Sequence, residues 1–413
     1  MQKITGYVLV IGAQWPEPQA SAAGQRMLQL VKAFSQASFT ITFACVADLP
    51  ENNVLPSHVS TCQIELNNPS FDIFLKNLNP EIVLFDRFFM EEQFGWRVAQ
   101  ACPQAVRILD TEDLHFLRSA REKALKNNTE PDFNTEATFR EIAAMYRCDL
   151  SLIISKREIE LLTSHFHFPK HLLLYLPFMI DEINETERNK LPKFKDRNAF
   201  MFIGNFKHLP NVDSVTYLVN KLFLEIRKQL KDAELNIYGA YASHKIKNLH
   251  NPKQGIFVKG WVTDANEVMK NTRICVAPLR FGAGQKGKLL VAMQNGTPSI
   301  TTTIGAEGMY FNEPWGGHIS TTDAEFIKES LSLYNNEQAW EIAQQNGFLI
   351  TNTYFSFKKH APVFINRLEE VVQSLSGHRA SNFTGSMLLY HRVQSTKYLS
   401  KWIEEKSKKG RTE

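Results

Sequence analysis

The sequence predicts an α/β protein made of two doubly wound domains facing each other across a cleft. Three observations predict it. The chain has 413 residues, more than one ordinary core holds. Short apolar, β-rich runs alternate with helical stretches in two successive series. Between the series lies residues 181–198 (DEINETERNKLPKFKDRN), a charged stretch almost without apolar side chains that reads as a linker.

The first series opens with residues 7–11 (YVLVI), continuously apolar like a strand buried on both faces of a parallel sheet. A Gly/Pro-rich loop leads into a helix over 22–38, with Met27, Leu28, Leu30, Val31 and Phe34 on one face. Further strands are expected at 39–46, 61–66, 81–85 (EIVLF), 105–109 (AVRIL), 150–154 (LSLII) and 171–176. Helices are expected at 93–101, 136–146 and 156–164. After the linker, strands are expected at 199–203, 235–238, 256–258, 273–277 and 297–301. Helices are expected at 212–230 and 285–295, with two more behind them. A Gly/Ser/Asn-rich loop, 376–386, precedes a last helix at 387–404, and the terminal KSKKGRTE is expected to be disordered. The domains are thus expected at 1–180 and 199–376, with the helix 387–404 beyond them.

Apolar residues make up 43% and charged residues 22%, which excludes disordered and fibrous classes. A net charge of +4 is below that of nucleic-acid binders of this size, so no nucleic-acid partner is expected. The cysteines Cys45, Cys62, Cys102, Cys148 and Cys275 form no Cys-x-x-Cys pair, so a reduced, cytoplasmic protein without a zinc framework is expected. No apolar run reaches a membrane span; residues 4–13 and 172–180 are too short. Residues 4–13 follow one lysine, Lys3, and Trp15-Pro16-Glu17-Pro18 separates them from the small residues Ala20-Ser21-Ala22. They read as a buried strand rather than a signal peptide.

The segment 273–308 (RICVAPLRFGAGQKGKLLVAMQNGTPSITTTIGAEG) carries the strongest chemical signal. A buried strand ends in a glycine loop containing Gly282 and Gly284, and a helix follows to Gly296. Such a helix start offers N–H groups and a partial positive charge, and Arg280, Lys286 and Lys288 add cations there. That combination suits a diphosphate. Lys288 lies one turn inside the helix and can point back to its start, whereas Lys286 matters less if it points to solvent. A tight turn with solvated lysines is the plainer reading. No Walker A loop is present.

PLRFGAGQKGKLLVAMQNGTP resembles the donor-binding signature of family-4 retaining glycosyltransferases of GT-B fold. Residues 202–215 (FIGNFKHLPNVDSV), 260–264 (GWVTD) and 305–308 (GAEG) are similar to the family's flanking segments. The resemblance covers about 200–309 and matches the first domain only in outline. It implies two Rossmann-like domains and a retaining transfer from a nucleoside diphosphate sugar, with no cofactor and no metal. It implies donor contacts from Arg280, Gly282, Gly284, Lys286, Lys288, Asn205, Lys207 and Glu307, and a carbohydrate or lipid-linked acceptor. It departs at the family's two glutamates: Ala283 and Val291 stand in their places, and the second normally takes the donor ribose hydroxyls.

In the first domain, loop 12–24 and the residues after 81–85 and 105–109 fall at strand carboxyl ends, where open α/β sheets bind ligands. Gln14, Gly24, Arg26 and Asp86 are the expected acceptor-side residues. Loop 12–24 lacks the dinucleotide fingerprint Gly-x-Gly-x-x-Gly. In residues 110–115 (DTEDLH), the resemblance places Asp113, and less firmly in register His115, against the sugar as catalytic residues. A plain helix cap by Asp110 or Thr111 is the alternative. His165, His167 and His171 read as an ordinary connection rather than a metal site. A sugar-nucleotide epimerase, a phosphorylase or a non-catalytic GT-B protein remain as other functions. The last helix is expected to pack back on the first domain, as in GT-B proteins, with peripheral membrane contact as the alternative. Neither sugar, acceptor nor oligomeric state is legible.

Overall fold

The computed structural model describes residues 6–50 and 54–409. The first residues of the apolar run 4–13, with Lys3, and residues 410–413 of the tail lie outside the described residues. Residues 406–409, expected to be disordered, continue the last helix.

Seven strands form the first sheet: β1 (Tyr7–Gly12), β2 (Thr40–Cys45), β3 (Ser60–Gln63), β4 (Ile82–Asp86), β5 (Val106–Asp110), β6 (Leu150–Ile153) and β7 (Leu173–Tyr175). Six form the second: β8 (Asn198–Ile203), β9 (Leu235–Tyr238), β10 (Ile256–Gly260), β11 (Thr272–Ala277), β12 (Ser299–Thr302) and β13 (Gly317–Ser320). The orders are β3-β2-β1-β4-β5-β6-β7 and β10-β9-β8-β11-β12-β13, all parallel. β1 lies inside its sheet, which is why Val8–Ile11 carry no polar side chain. β13 (GHIS) was not expected, because a short polar edge strand has no apolar signature.

In each sheet the strand order reverses beside the first strand, between β1 and β4 and between β8 and β11. The loops leaving those strands diverge there and open a crevice. Loop 12–21, the end of β4, residues 204–208 and residues 278–286 leave such positions, and the end of β5 lies one strand beyond.

The linker is more ordered than its charge suggested. It holds a short helix, Glu185–Asn189, with an Asn184/Glu187 capping box. Arg197 is wholly buried and donates to Pro192 O (2.8 Å), Thr297 Oγ1 (2.8 Å) and Asn295 O (3.0 Å). The chain returns to the first domain well before 376. Ile180 and Ser356 form a bridge, with 2.7 Å hydrogen bonds from Ile180 N–H to Phe355 O and from Phe357 N–H to Ile180 O. Phe357, Ala361, Phe364, Leu368 and Val371 of the helix Phe357–Gln373 then pack with Val8, Leu30 and Phe34 in the first core. The supposed loop 376–386 is largely helical, Leu375–Ala380 followed by Phe383–Lys409. That last helix packs back on the first domain, through Arg97 with Glu404 and Ser400 Oγ with Asn67 Oδ1 (2.9 Å). Leu388 and Leu389 are half-buried, Leu399 and Trp402 are exposed, and the side chain of Val393 is not among those described.

Candidate functional site

A cleft of about 420 Å³ runs between the two switch points. On the second-domain side the helix Gly287–Gln294 starts at it with no side-chain cap, and Gly287 and Lys288 of its first turn line the crevice. Lys288 Nζ donates to Asn211 Oδ1 (2.5 Å) and lies 4.3 Å from the Phe202 ring centroid. Burial pushes its ammonium down to about 7. Lys286 does not point to solvent. It folds over its own loop, donating to Gly284 O (2.7 Å) and Ala283 O (3.2 Å). Burial pushes it down to about 8, against the pull of Glu307 and Glu158. Asn205 shapes the loop after β8: it accepts the Lys207 N–H at Oδ1 (2.9 Å), and its carbonyl accepts Asn211 Nδ2 (2.8 Å). Lys207 lines the cleft with its ammonium over the Tyr241 ring.

The first domain presents carboxylates. Asp113 and His115 line the cleft with His115 Nε2 3.5 Å from Asp113 Oδ1. Burial raises the cost of the Asp113 charge, but Arg118, His115 and His208 outweigh it and hold the carboxyl well below its usual range. Burial, only partly opposed by Asp113, pushes His115 down to about 4, so its ring is neutral at physiological pH. Asp86 is buried beside Arg87 (3.0 Å), which also approaches Glu112 (3.6 Å). Burial and the charge of Asp86 raise Glu112 well above its usual range. Gln14 lines the cleft, and Gly24 closes its loop, where any Cβ would lie 2.5 Å from the Glu17 backbone.

Several expected residues stand elsewhere. Arg280 turns away from the cleft and pairs with Asp213 at the surface, because Asp213 and Tyr217 offer it a charge and a ring there. Glu307 is held by Arg121 across the domain joint at 2.6 and 2.9 Å rather than facing the donor site. Arg26 is 1% exposed; it reaches the cleft floor only from below, ion-paired to fully buried Asp110 at 2.8 Å and donating to Leu176 O. Gly284 is covered: its N–H donates to Glu158 Oε1 (2.8 Å), and an added Cβ would lie 2.7 Å from Asp113 Cβ. Gly282 lines the cleft, with its carbonyl held by Arg121. Neither Asp110 nor Thr111 caps a helix. The helix His115–Asn127 is capped by carboxylates from elsewhere, Leu114 N–H to Glu158 and His115 and Phe116 N–H to Glu141. Val291 lines the cleft and Ala283 joins the first-domain core. Among the described residues no group of three His, Cys, Asp or Glu is arranged to hold a metal.

Arg118, His208 and Trp261 were missed as cleft residues. His208 had a signal, its place just after β8 at the switch point. Arg118 sits three residues after His115 on one helix face. Glu158 had none, since its partners are 44 and 126 residues away.

Residues 197–336, which run from β8 past β13, match the family described as Glycosyl transferases group 1. A Klebsiella pneumoniae protein, described as an uncharacterized 44.6 kDa protein in the cps region, is 25% identical over 224 residues. The match spans 52% of this chain and 55% of that protein, so the chain spans about half the length of the relative. Sucrose-phosphate synthase from Thermosynechococcus elongatus superposes with a TM-score of 0.69 at 13% identity, covering 89% of this chain and 99% of that one. A TarM mutant from S. aureus does so at 0.67 and 9% identity, covering 88% and 99%. WaaG, a glycosyltransferase involved in lipopolysaccharide biosynthesis, does so at 0.59 and 11%, covering 87% and 98%. The fold is therefore GT-B, and the stretch of the second domain from 197 to 336 is similar to group 1 glycosyltransferases.

Proposed function

We propose that the protein transfers a sugar, with retention of anomeric configuration, from a nucleoside diphosphate sugar to a carbohydrate or lipid-linked acceptor in polysaccharide or glycoconjugate synthesis. The observation that carries this reading is the opposition across one cleft of Lys286, Lys288 and an uncapped helix start to ionised Asp113 and neutral His115. The lysines and helix start match the charge that grows on a departing diphosphate. Asp113, too acidic to serve as a base at neutral pH, suits the cation-like sugar left behind. His115, uncharged, suits a hydrogen bond to a sugar hydroxyl without adding positive charge beside the cation-like sugar. The S. aureus TarM mutant superposed above is in complex with UDP, which makes UDP the first probe.

The lipid-linked acceptor has its own support. Phe383, Met387, Tyr390, Tyr398 and Trp402 project from one exposed side of the last helix, interleaved with Lys397 and Lys401. Aromatic and lysine residues in this pattern suit an anionic lipid surface. No described helix is long and apolar enough to cross a membrane. On this reading the protein works in the cytoplasm at the inner membrane face, in keeping with its five free cysteines.

A non-catalytic sugar-nucleotide binder is the second reading, favoured by Val291 where a ribose-binding carboxylate is the family's pattern. Thermal shift against a panel of nucleotide sugars, followed by turnover of those that bind, separates the two. Asp113→Asn and His115→Ala are expected to lower turnover more than donor affinity. Stabilisation by none of the panel would sink both readings.

A further inference from the structure

The loop expected to cradle the donor is gripped by the opposite domain. A loop with glycines five and three residues before a helix has backbone freedom that something must remove. Its own domain supplies Lys286 Nζ on Ala283 O and Gly284 O, and Gln285 Nε2 on Gly308 O (2.9 Å). The first domain supplies the rest. Arg121 Nη1 donates to Gly282 O (2.8 Å) while its other contacts hold Glu307. Glu158 Oε1, on a residue 1% exposed, accepts the Gly284 N–H (2.8 Å) and also the Leu114 N–H (3.0 Å). Leu114 precedes the helix that carries His115, Arg118 and Arg121.

One carboxylate oxygen thus registers the first-domain half of the site against the donor loop. Its partner oxygen, Oε2, is buried without a hydrogen bond. Such a group is expensive to keep, and its presence at this joint needs a reason beyond packing. We propose that Arg121 and Glu158 are positioning residues that set the donor loop's backbone, so that the loop takes its binding form only beneath the closed first domain. This rests on the transferase reading and makes donor-site assembly and domain closure one event.

Hydrogen exchange on the full chain without ligand tests it, using Arg121→Ala, Glu158→Ala and the conservative Glu158→Gln. Residues 279–288 are expected to exchange at least about tenfold faster in the two alanine variants, as loss of a charge-assisted hydrogen bond implies. Glu158→Gln, which keeps an acceptor oxygen, is expected to stay near wild type. A general rise in exchange throughout the first domain, or an unchanged rate at 279–288 in Arg121→Ala and Glu158→Ala, would overturn the proposal. If Glu158→Ala does not fold, Arg121→Ala against Glu158→Gln decides alone. Exchange is repeated with UDP, GDP, ADP and dTDP. Protection of 279–288 by none of them would sink the nucleotide-sugar reading while leaving the grip on the loop intact.

Discussion

Lys288 and Lys286 meet the cleft with ammonium groups held in partly desolvated surroundings. Each should gain from a diphosphate what a charge-assisted contact supplies, about 1.5–3 kcal/mol. Lys288→Ala and Lys286→Ala are therefore both expected to weaken nucleoside diphosphate binding by roughly ten- to a hundredfold. The solvent-pointing alternative for Lys286 is gone, because its Nζ turns onto the loop carbonyls. The titration adds a sign. A folded-state value near 7 leaves Lys288 largely uncharged at pH 8, while a bound dianion favours the charged form. Binding at pH 8 should then take up on the order of one proton, and affinity should fall as pH rises through 7. Calorimetry in two buffers of different ionisation heat reads this directly; heats independent of buffer would remove the lysines from the site. Arg26 belongs to a different account. It neutralises Asp110 at full burial, so Arg26→Ala should lower stability by about 3–5 kcal/mol by leaving that carboxylate unpaired. Denaturant unfolding checks it; a stability loss under about 1 kcal/mol would show that the pair is replaceable.

At the level of elements, the last helix is held by one face and bare on the other. Ser400 is buried against the first domain, while Tyr390, Tyr398 and Trp402 are 60–66% exposed. Residues 383–402 span roughly 28 Å of helix, enough for several aromatic rings to reach the headgroup region together. Replacing Tyr398 and Trp402 together by Ser is expected to reduce flotation with anionic vesicles at least about fivefold, since each ring buries a large apolar area. Neutral vesicles are expected to bind weakly in either case, because Lys397 and Lys401 would lack their counter-charge. Equal flotation of wild type and variant would remove the lipid contact and with it the support for a lipid-linked acceptor.

At the scale of the whole molecule, the glycines of the second domain are points where the first domain touches down. Gly284 has φ +62° and lies against Asp113, Gly287 against Ala22, and Gly308 against Ser155. The described arrangement is thus a closed one. Gly284→Ala puts a Cβ into Asp113 and strains a left-handed backbone. It is expected to hold the domains apart, raising the radius of gyration in X-ray scattering and cutting turnover. A variant as compact and active as wild type would mean that the joint accommodates a methyl group.

The alternation of apolar runs and helices, and the strand ends that carry loops 12–24, 110–115 and 278–288, were legible in the chain. Burial of a parallel sheet on both faces writes itself as continuous apolar strands, and switch-point loops follow from strand order. Asp113, His115, Lys286 and Lys288 could be placed at the cleft because each lies in such a loop or one turn beyond it. Contacts made over long separations left no local mark. The return of residues 357–373 to the first core depends on Phe34 meeting Phe364, 330 residues apart by number, at 5.2 Å. Arg26 went to Asp110, Arg280 to Asp213 and Glu307 to Arg121 because a charge settles on the best-placed opposite charge, which only packing supplies. Local pattern, repeated along the backbone, specified two sheets and the crevice between them. Which side chains face that crevice, and which close the joint beside it, was decided when the two domains met.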